Sequence, residues 1–226
     1  AVINNGVPMG LRFYGRRKGR PLRASMKRLL DEELPQFAFD PTRLIDDQFG
    51  RKADRFLEIG FGGGEHLVHM AETYPQIGLI GCEPFINGVA MLLGKIRKAE
   101  VENLRVYPGD VRNLFDVLPA ETLSKVFLNY PDPWPKKRHH RRRFVTPEHL
   151  APLHRAMKPG AELRVATDIP DYVRQTLEEV PKQGFEWLAN GPSDWREPWP
   201  DWASTRYEQK ALREGRCPHY LTFRRL

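Results

Sequence analysis

The sequence predicts a doubly wound α/β fold: a mostly parallel seven-stranded sheet with helices on both faces and an antiparallel last strand. Three observations lead there. From Arg55 onward, short apolar runs alternate with amphipathic stretches; a glycine-rich turn follows the first run; and two further apolar runs close the chain around a Trp- and Pro-rich loop.

Taken in order, residues 1–54 read as an N-terminal extension: a basic, Gly-rich arm, helical spacing over 25–37, then a Pro-containing stretch over 39–50. Residues 55–226 read as one domain. Its strands are predicted at 55–60, 77–83, 104–107, 125–130 and 162–167, with helices at 65–74, 85–99, 111–118, 146–157 and 170–180. Five such βα units form a parallel sheet, because parallel strands need a crossover and a helix is the usual one. The last two runs, 184–188 and 219–225, predict a strand hairpin.

Charge narrows the partner. The chain carries a formal +7, yet 12–28 holds eight basic residues without an acid and 136–143 holds six more. Those fourteen positive charges leave the remainder about 7 negative, so the basicity is a footprint for a polyanion and not an even coat. Arginine outnumbers lysine 25 to 11, which suits two-point contact with phosphate and guanine edges. The arm, with Gly10, Gly15 and Gly19 between its cations, is expected to order on a nucleic acid.

Two cysteines, Cys82 and Cys217, make no disulfide framework and fit a reducing compartment. No run approaches the 18 apolar residues of a membrane span, and the N-terminus lacks a signal peptide's apolar core. The expectation is a cytoplasmic protein with no membrane partner. His66 and His69, and the adjacent His139 and His140, lack a completing Cys or carboxylate cluster, so no metal is expected.

The turn Glu58-Ile59-Gly60-Phe61-Gly62-Gly63-Gly64 lets a ligand lie against bare backbone. A dinucleotide fingerprint would place a third glycine where Glu65 stands, and the lysine of a P-loop is absent. An NAD-linked oxidoreductase is thereby disfavoured. Glu58 would repel a pyrophosphate but suits a ligand bearing an ammonium and a sulfonium, which describes S-adenosylmethionine. Glu83 ends the second strand, where a carboxylate can accept from two ribose hydroxyls; Asp110 ends the third, where one can accept from an adenine amino group.

The fourth strand runs into Asn129-Tyr130-Pro131-Asp132-Pro133-Trp134-Pro135-Lys136, a loop stiffened by its prolines. Asp132, held between two of them, is the candidate catalytic residue. Trp195, Trp199 and Trp202 read as packing for the long loop in preference to base stacking.

Together the Glu58–Gly62 motif, Tyr130-Pro131-Asp132-Pro133-Trp134, the basic tract and Thr205-Arg206-Tyr207-Glu208 resemble the bacterial tRNA (guanine-N7)-methyltransferase family over about residues 12–225. The resemblance implies a class I, Rossmann-like methyltransferase domain over 55–226 that carries a methyl group from S-adenosylmethionine to N7 of guanine 46 in the tRNA variable loop. It implies cofactor contacts from Glu58, Gly60, Gly62, Glu83, Asp110 and Asp132, with Asp132 also at the reacting centre. Substrate contacts would come from Lys136, Asp168, Thr205, Arg206, Tyr207 and Glu208, and RNA contacts from Arg138, His139, His140, Arg141, Arg142 and Arg143. Position 130 is Tyr where many members place Phe. The rivals are an RNA or DNA exocyclic-amino methyltransferase, disfavoured because Asn129-Tyr130-Pro131 lacks paired prolines, and a noncatalytic tRNA-binding protein, disfavoured by the intact acid set. The sequence is compatible with a monomer or a homodimer.

Overall fold

The computed structural model describes residues 13–50 and 54–226. The start of the basic arm, with Gly10 and Arg12, and residues 51–53 of the predicted extension lie outside the described residues. The chain divides into two compact units, Ala1–Leu118 and Pro119–Leu226.

In the first unit three parallel strands, β1 (Arg55–Ile59), β2 (Gly78–Cys82) and β3 (Leu104–Tyr107), lie in the order β3-β2-β1. Every residue of β1 and β2 is buried, as expected for strands covered on both faces. The strand predicted over 55–60 ends one residue early. Gly60 turns into the left-handed region at φ 70° and donates its N–H to the Cys82 carbonyl. The connecting helices are α4 (Glu65–Thr73), α5 (Ile86–Ala99) and α6 (Val111–Val117).

The described part of the extension belongs to this unit. Its predicted single helix is two, α1 (Ala24–Glu32) and α2 (Leu34–Phe37), because Pro35 near the start of α2 has no N–H to continue the ladder. Helix α1 packs on α5. Phe39 is buried and its N–H reaches the Val106 carbonyl at 2.7 Å, which covers the edge of β3. A further helix, α3 (Ile45–Phe49), brings Asp46 to the buried Arg55 at 2.8 Å. Upstream, the arm is seated on the start of α5. The Ile86 N–H donates to the Arg17 carbonyl, Gly19 donates to the Asn87 side chain, and Asn87 donates back to the Arg20 carbonyl.

In the second unit, β4 (Leu123–Asn129) and β5 (Met157–Thr167) pair in parallel, and β7 (His219–Arg225) runs antiparallel to both β5 and β6 (Phe185–Trp187), giving the order β4-β5-β7-β6. The predicted closing hairpin is therefore present, with the last strand antiparallel. Helices α7 (Pro147–Ala156) and α8 (Pro170–Lys182) flank β5 in sequence, and α8 buries Tyr172, Thr176 and Val180, one helical face at four-residue spacing. Two short helices in the Trp-rich loop, α9 (Ser193–Arg196) and α10 (Arg206–Arg213), were not predicted. Yet α10 begins with a side-chain N-cap: Thr205 accepts from the Glu208 N–H at 3.2 Å.

Candidate functional site

In the first unit, Gly60, Gly62 and Gly64 have φ of 70°, 59° and 86°, the left-handed region that costs glycine nothing. A side chain begun at Gly60 or Gly62 would meet no atom within 4 Å, so that backbone edge is open. The opposite side is closed. A side chain on Gly64 would strike Leu92, and one on Gly88 would strike the Gly62 carbonyl.

Glu83 holds the turn in place. One carboxylate oxygen accepts from the Gly62 N–H at 2.8 Å and the other from the Phe85 N–H at 3.3 Å, tying the turn to the entry of α5. Glu58 does not lie at the mouth of the turn. It is 1% exposed within β1, and its carboxylate meets the ring Nδ1 of His66, 3% exposed, at 2.5 Å. Asp110 is the N-cap of α6: it accepts from the Arg112 N–H at 2.9 Å and grips the Arg112 guanidinium at 2.6 to 3.2 Å. Capping is thus part of what this strand-end acid does.

The acids act on the groups around them, although Arg112 pairs with Asp110. Burial, then Glu83 and Asp110, raise the Cys82 thiol well above its usual range. Burial, then Cys82, Asp110 and Asp116, push the Tyr107 phenol up to about 12. Near Gly63, Lys95 Nζ is accompanied by the Glu65 carboxylate, so that cation brings its own counter-charge. Bare glycine backbone beside buried carboxylates fits a cationic ligand better than a pyrophosphate.

In the second unit, the loop after β4 is strained where it matters. Tyr130 and Trp134 have φ of 49° and 41°, unusual for bulky residues, and each precedes a proline, which adds a further steric penalty. Several anchors hold this shape. Tyr130 donates its N–H to Ala166 at 2.7 Å and its hydroxyl to Glu208 at 2.5 Å. Arg143 donates to the Pro133 carbonyl at 2.8 Å, to Asp171 at 2.7 Å and to Gln175 at 2.9 Å. Between the anchors Asp132 stands at the surface, although the protein around its carboxyl raises its pKa by desolvation.

Beside this loop, two buried acids organise the segment 202–216. Glu208 also accepts from Trp202 at 3.0 Å and Ser204 at 2.7 Å. Asp168 accepts from Arg216 at 2.6 Å and from the Tyr207 hydroxyl at 3.2 Å. Burial, then Asp168, raises the Tyr207 phenol. The Tyr207 ring is 43% exposed and lies 4.9 Å from the Tyr130 ring.

The basic tract is not one surface. Lys137–Arg142 forms a 3₁₀ turn with Lys136, Lys137, Arg138 and Arg141 exposed, and His139, His140 and Arg142 half-buried. Burial, then Arg142, Arg138, Lys136 and Arg141, holds His139 below its ordinary range. Arg143, expected among the RNA contacts, is 1% exposed and engaged by Asp171, so it is a strut of the loop and cannot reach a phosphate. Nothing in the run of cations distinguishes it from Arg141 or Arg142.

Sequence reasoning also missed His66, set aside there as an incomplete metal ligand, and Arg216. The signal for His66 was available: a polar residue opening the helix that follows the turn, eight residues from Glu58. Trp199 and Trp202 pack on Tyr220 at 5.4 and 5.8 Å, in line with the packing reading of the loop. Among the described residues no group of three or more His, Cys, Asp or Glu is placed to hold a metal ion, and no helix is long and apolar enough to cross a membrane.

The strand order within each unit and the glycine turn define a Rossmann-like fold of the kind that methyltransferases use. The fold is shared with the 16S rRNA methyltransferase KamB, at 16% identity and a TM-score of 0.59 over 81% of this chain and 94% of that one. It is also shared with the 16S rRNA (adenine(1408)-N(1))-methyltransferase from Catenulisporales acidiphilia solved with cosubstrate SAM, at 17% identity and a TM-score of 0.55 over 82% and 93%. A family model described as "Putative methyltransferase" matches residues 52–220. The tRNA (guanine-N(7)-)-methyltransferase of Ruegeria pomeroyi is 67% identical over 223 residues, covering 95% of this chain and 94% of its own. That of Rhodospirillum rubrum is 49% identical over 95% and 88%. The chain belongs to the tRNA (guanine-N(7)-)-methyltransferase family.

Proposed function

We propose that the chain transfers a methyl group from S-adenosylmethionine to N7 of guanine 46 in the variable loop of tRNA. The observation that carries this reading is the 67% identity, over nearly the whole of both chains, with a tRNA (guanine-N(7)-)-methyltransferase. The basic extension of 1–54 and a catalytic domain of 55–226 are the parts we assign, and a tRNA substrate together with two free cysteines supports a cytoplasmic setting.

Glu58, Gly60, Gly62, Glu83 and Asp110 would hold the methyl donor, the open turn taking its backbone contacts, Glu58 its ammonium, Glu83 its ribose hydroxyls and Asp110 its adenine amino group. When bound, S-adenosylmethionine supplies an electrophilic methyl group on a sulfonium. Guanine N7 carries an in-plane lone pair, so no proton has to be removed beforehand and the protein's task is positioning, which can supply about 7–11 kcal/mol.

Asp132, a proposed cofactor contact as well, would stabilise the positive charge that the ring gains or accept from guanine N1–H and its 2-amino group. Tyr207 offers an exposed ring for stacking, aligned from behind by Asp168, while Lys136, Thr205 and Arg206 would contact the substrate. Glu208, buried under Tyr130, Trp202 and Ser204, would act through those residues. Arg138, His139, His140, Arg141 and Arg142 would face RNA phosphates.

The test is to incubate the protein with bulk tRNA and labelled cofactor and to identify the modified nucleoside. Labelled N7-methylguanosine, with chain scission after reduction and aniline treatment, is the expected result. A methylated exocyclic amine, which resists scission, would overturn it.

A further inference from the structure

We propose that His66 is a positioning residue for the methyl donor: its ring fixes the Glu58 carboxylate in the orientation that receives the donor's ammonium group. The inference rests on the reading that Glu58 contacts the cofactor.

Glu58 lies within β1 in register with Gly81 of β2 and is 1% exposed. An ionised carboxylate removed from water needs donors, because burial disfavours the charged form. The glycine turn reverses the chain so that the first turn of α4 returns toward the strand. His66, its second residue, thereby brings Nδ1 to 2.5 Å from the Glu58 carboxylate.

An ionised carboxylate only accepts hydrogen bonds, so the ring nitrogen facing it is the donor. An imidazole, unlike a lysine or arginine side chain, carries no obligatory charge, and a single N–H suffices to orient the carboxylate. A lysine or arginine would orient it and neutralise it together, removing the attraction for an ammonium. The same glycines that open the backbone to a ligand thus also return the chain so that His66 meets Glu58.

The experiment compares two ligands on the full-length chain by calorimetry: S-adenosylhomocysteine, which carries the ammonium, and 5′-methylthioadenosine, which lacks the amino-acid end. His66→Phe is expected to weaken S-adenosylhomocysteine about tenfold, the size of one hydrogen bond to a charged group, and to leave 5′-methylthioadenosine unchanged. His66→Asn, whose amide can donate from near the Nδ1 position, is expected to recover most of the loss. Glu58→Gln should give the same ligand selectivity, and adding His66→Phe to it should cost little more.

Equal weakening of both ligands by His66→Phe, or of neither, would overturn the proposal, the first by making His66 a packing residue. If Glu58→Gln left S-adenosylhomocysteine binding intact, the reading of Glu58 itself would fail, a result separable from failure at His66 alone. Where His66→Phe does not fold, His66→Gln, whose amide overshoots the Nδ1 position, carries the same expectations.

Discussion

The glycine turn of the first unit and the proline loop of the second place carboxylates by opposite means. Around the turn the decisive contacts are close in sequence: Glu58 to His66 spans eight residues and Gly62 to Glu83 spans 21. Around the proline loop they are distant, with Tyr130 to Glu208 spanning 78 residues, Asp168 to Arg216 spanning 48 and Arg143 to Asp171 spanning 28. The turn takes its shape from glycines that adopt positive φ freely, whereas the loop imposes positive φ on Tyr130 and Trp134 and depends on outside anchors to keep it. A motif of the first kind is portable among ligands of one charge class; a loop of the second kind is specific to the framework that holds it.

This contrast breaks most sharply at Asp132. Asp132→Ala should lower turnover by about a thousandfold, the scale of a lost transition-state contact, with the melting temperature unchanged because its carboxyl stands at the surface. The carboxyl pKa is raised by desolvation, so the protonated form persists to higher pH than in a free aspartate. The acid limb of kcat/KM should accordingly fall above the ordinary carboxylate range and vanish in Asp132→Asn.

Arg143→Ala removes the strut instead of the chemistry. Thermal unfolding should show a loss of about 2–4 kcal/mol, since a buried guanidinium with several acceptors is deleted, while Arg141→Ala should leave stability unchanged. Arg174 and Arg143 hold the Asp171 carboxyl down to about 2. Its folded-state pKa is depressed, so its contribution is fully present above about pH 4 and is lost as pH falls through about 2.

Replacing Arg138, Arg141 and the half-buried Arg142 together by Ala should weaken tRNA binding and flatten its salt dependence by up to about three in slope, each cation releasing up to about one counterion. An unchanged slope would reduce these residues to a solvated face. The smallest effect sharpens the comparison: Tyr130→Phe should cost about 1 kcal/mol by deleting the hydroxyl that reaches Glu208. It should raise KM for tRNA while leaving S-adenosylhomocysteine affinity alone. Weakened cofactor affinity instead would mean that the two sites are not separately built.

Much of this was readable before any coordinates. All seven strands lie where the alternation of apolar runs puts them, to within about two residues at their ends except β5, which starts five residues early beyond the irregularity at Gly160. Helix α10 was announced by Thr205, an N-cap residue type, but was recognised only as part of a family motif. What stayed hidden was partnership. Two adjacent arginines, 142 and 143, differ in sequence by nothing, yet one lies over the Trp134 ring and the other is enclosed beside Asp171.

By itself the sequence determined the strands, the φ-permissive turn and the charge class of the ligand, because apolar periodicity, missing Cβ atoms and formal charge are properties of residues taken one at a time or in short windows. Only the tertiary structure decided which acids are aimed by a partner, which cap a helix and which cation is buried. Those outcomes depend on distances between residues far apart in the chain, and such distances exist only once the chain has folded.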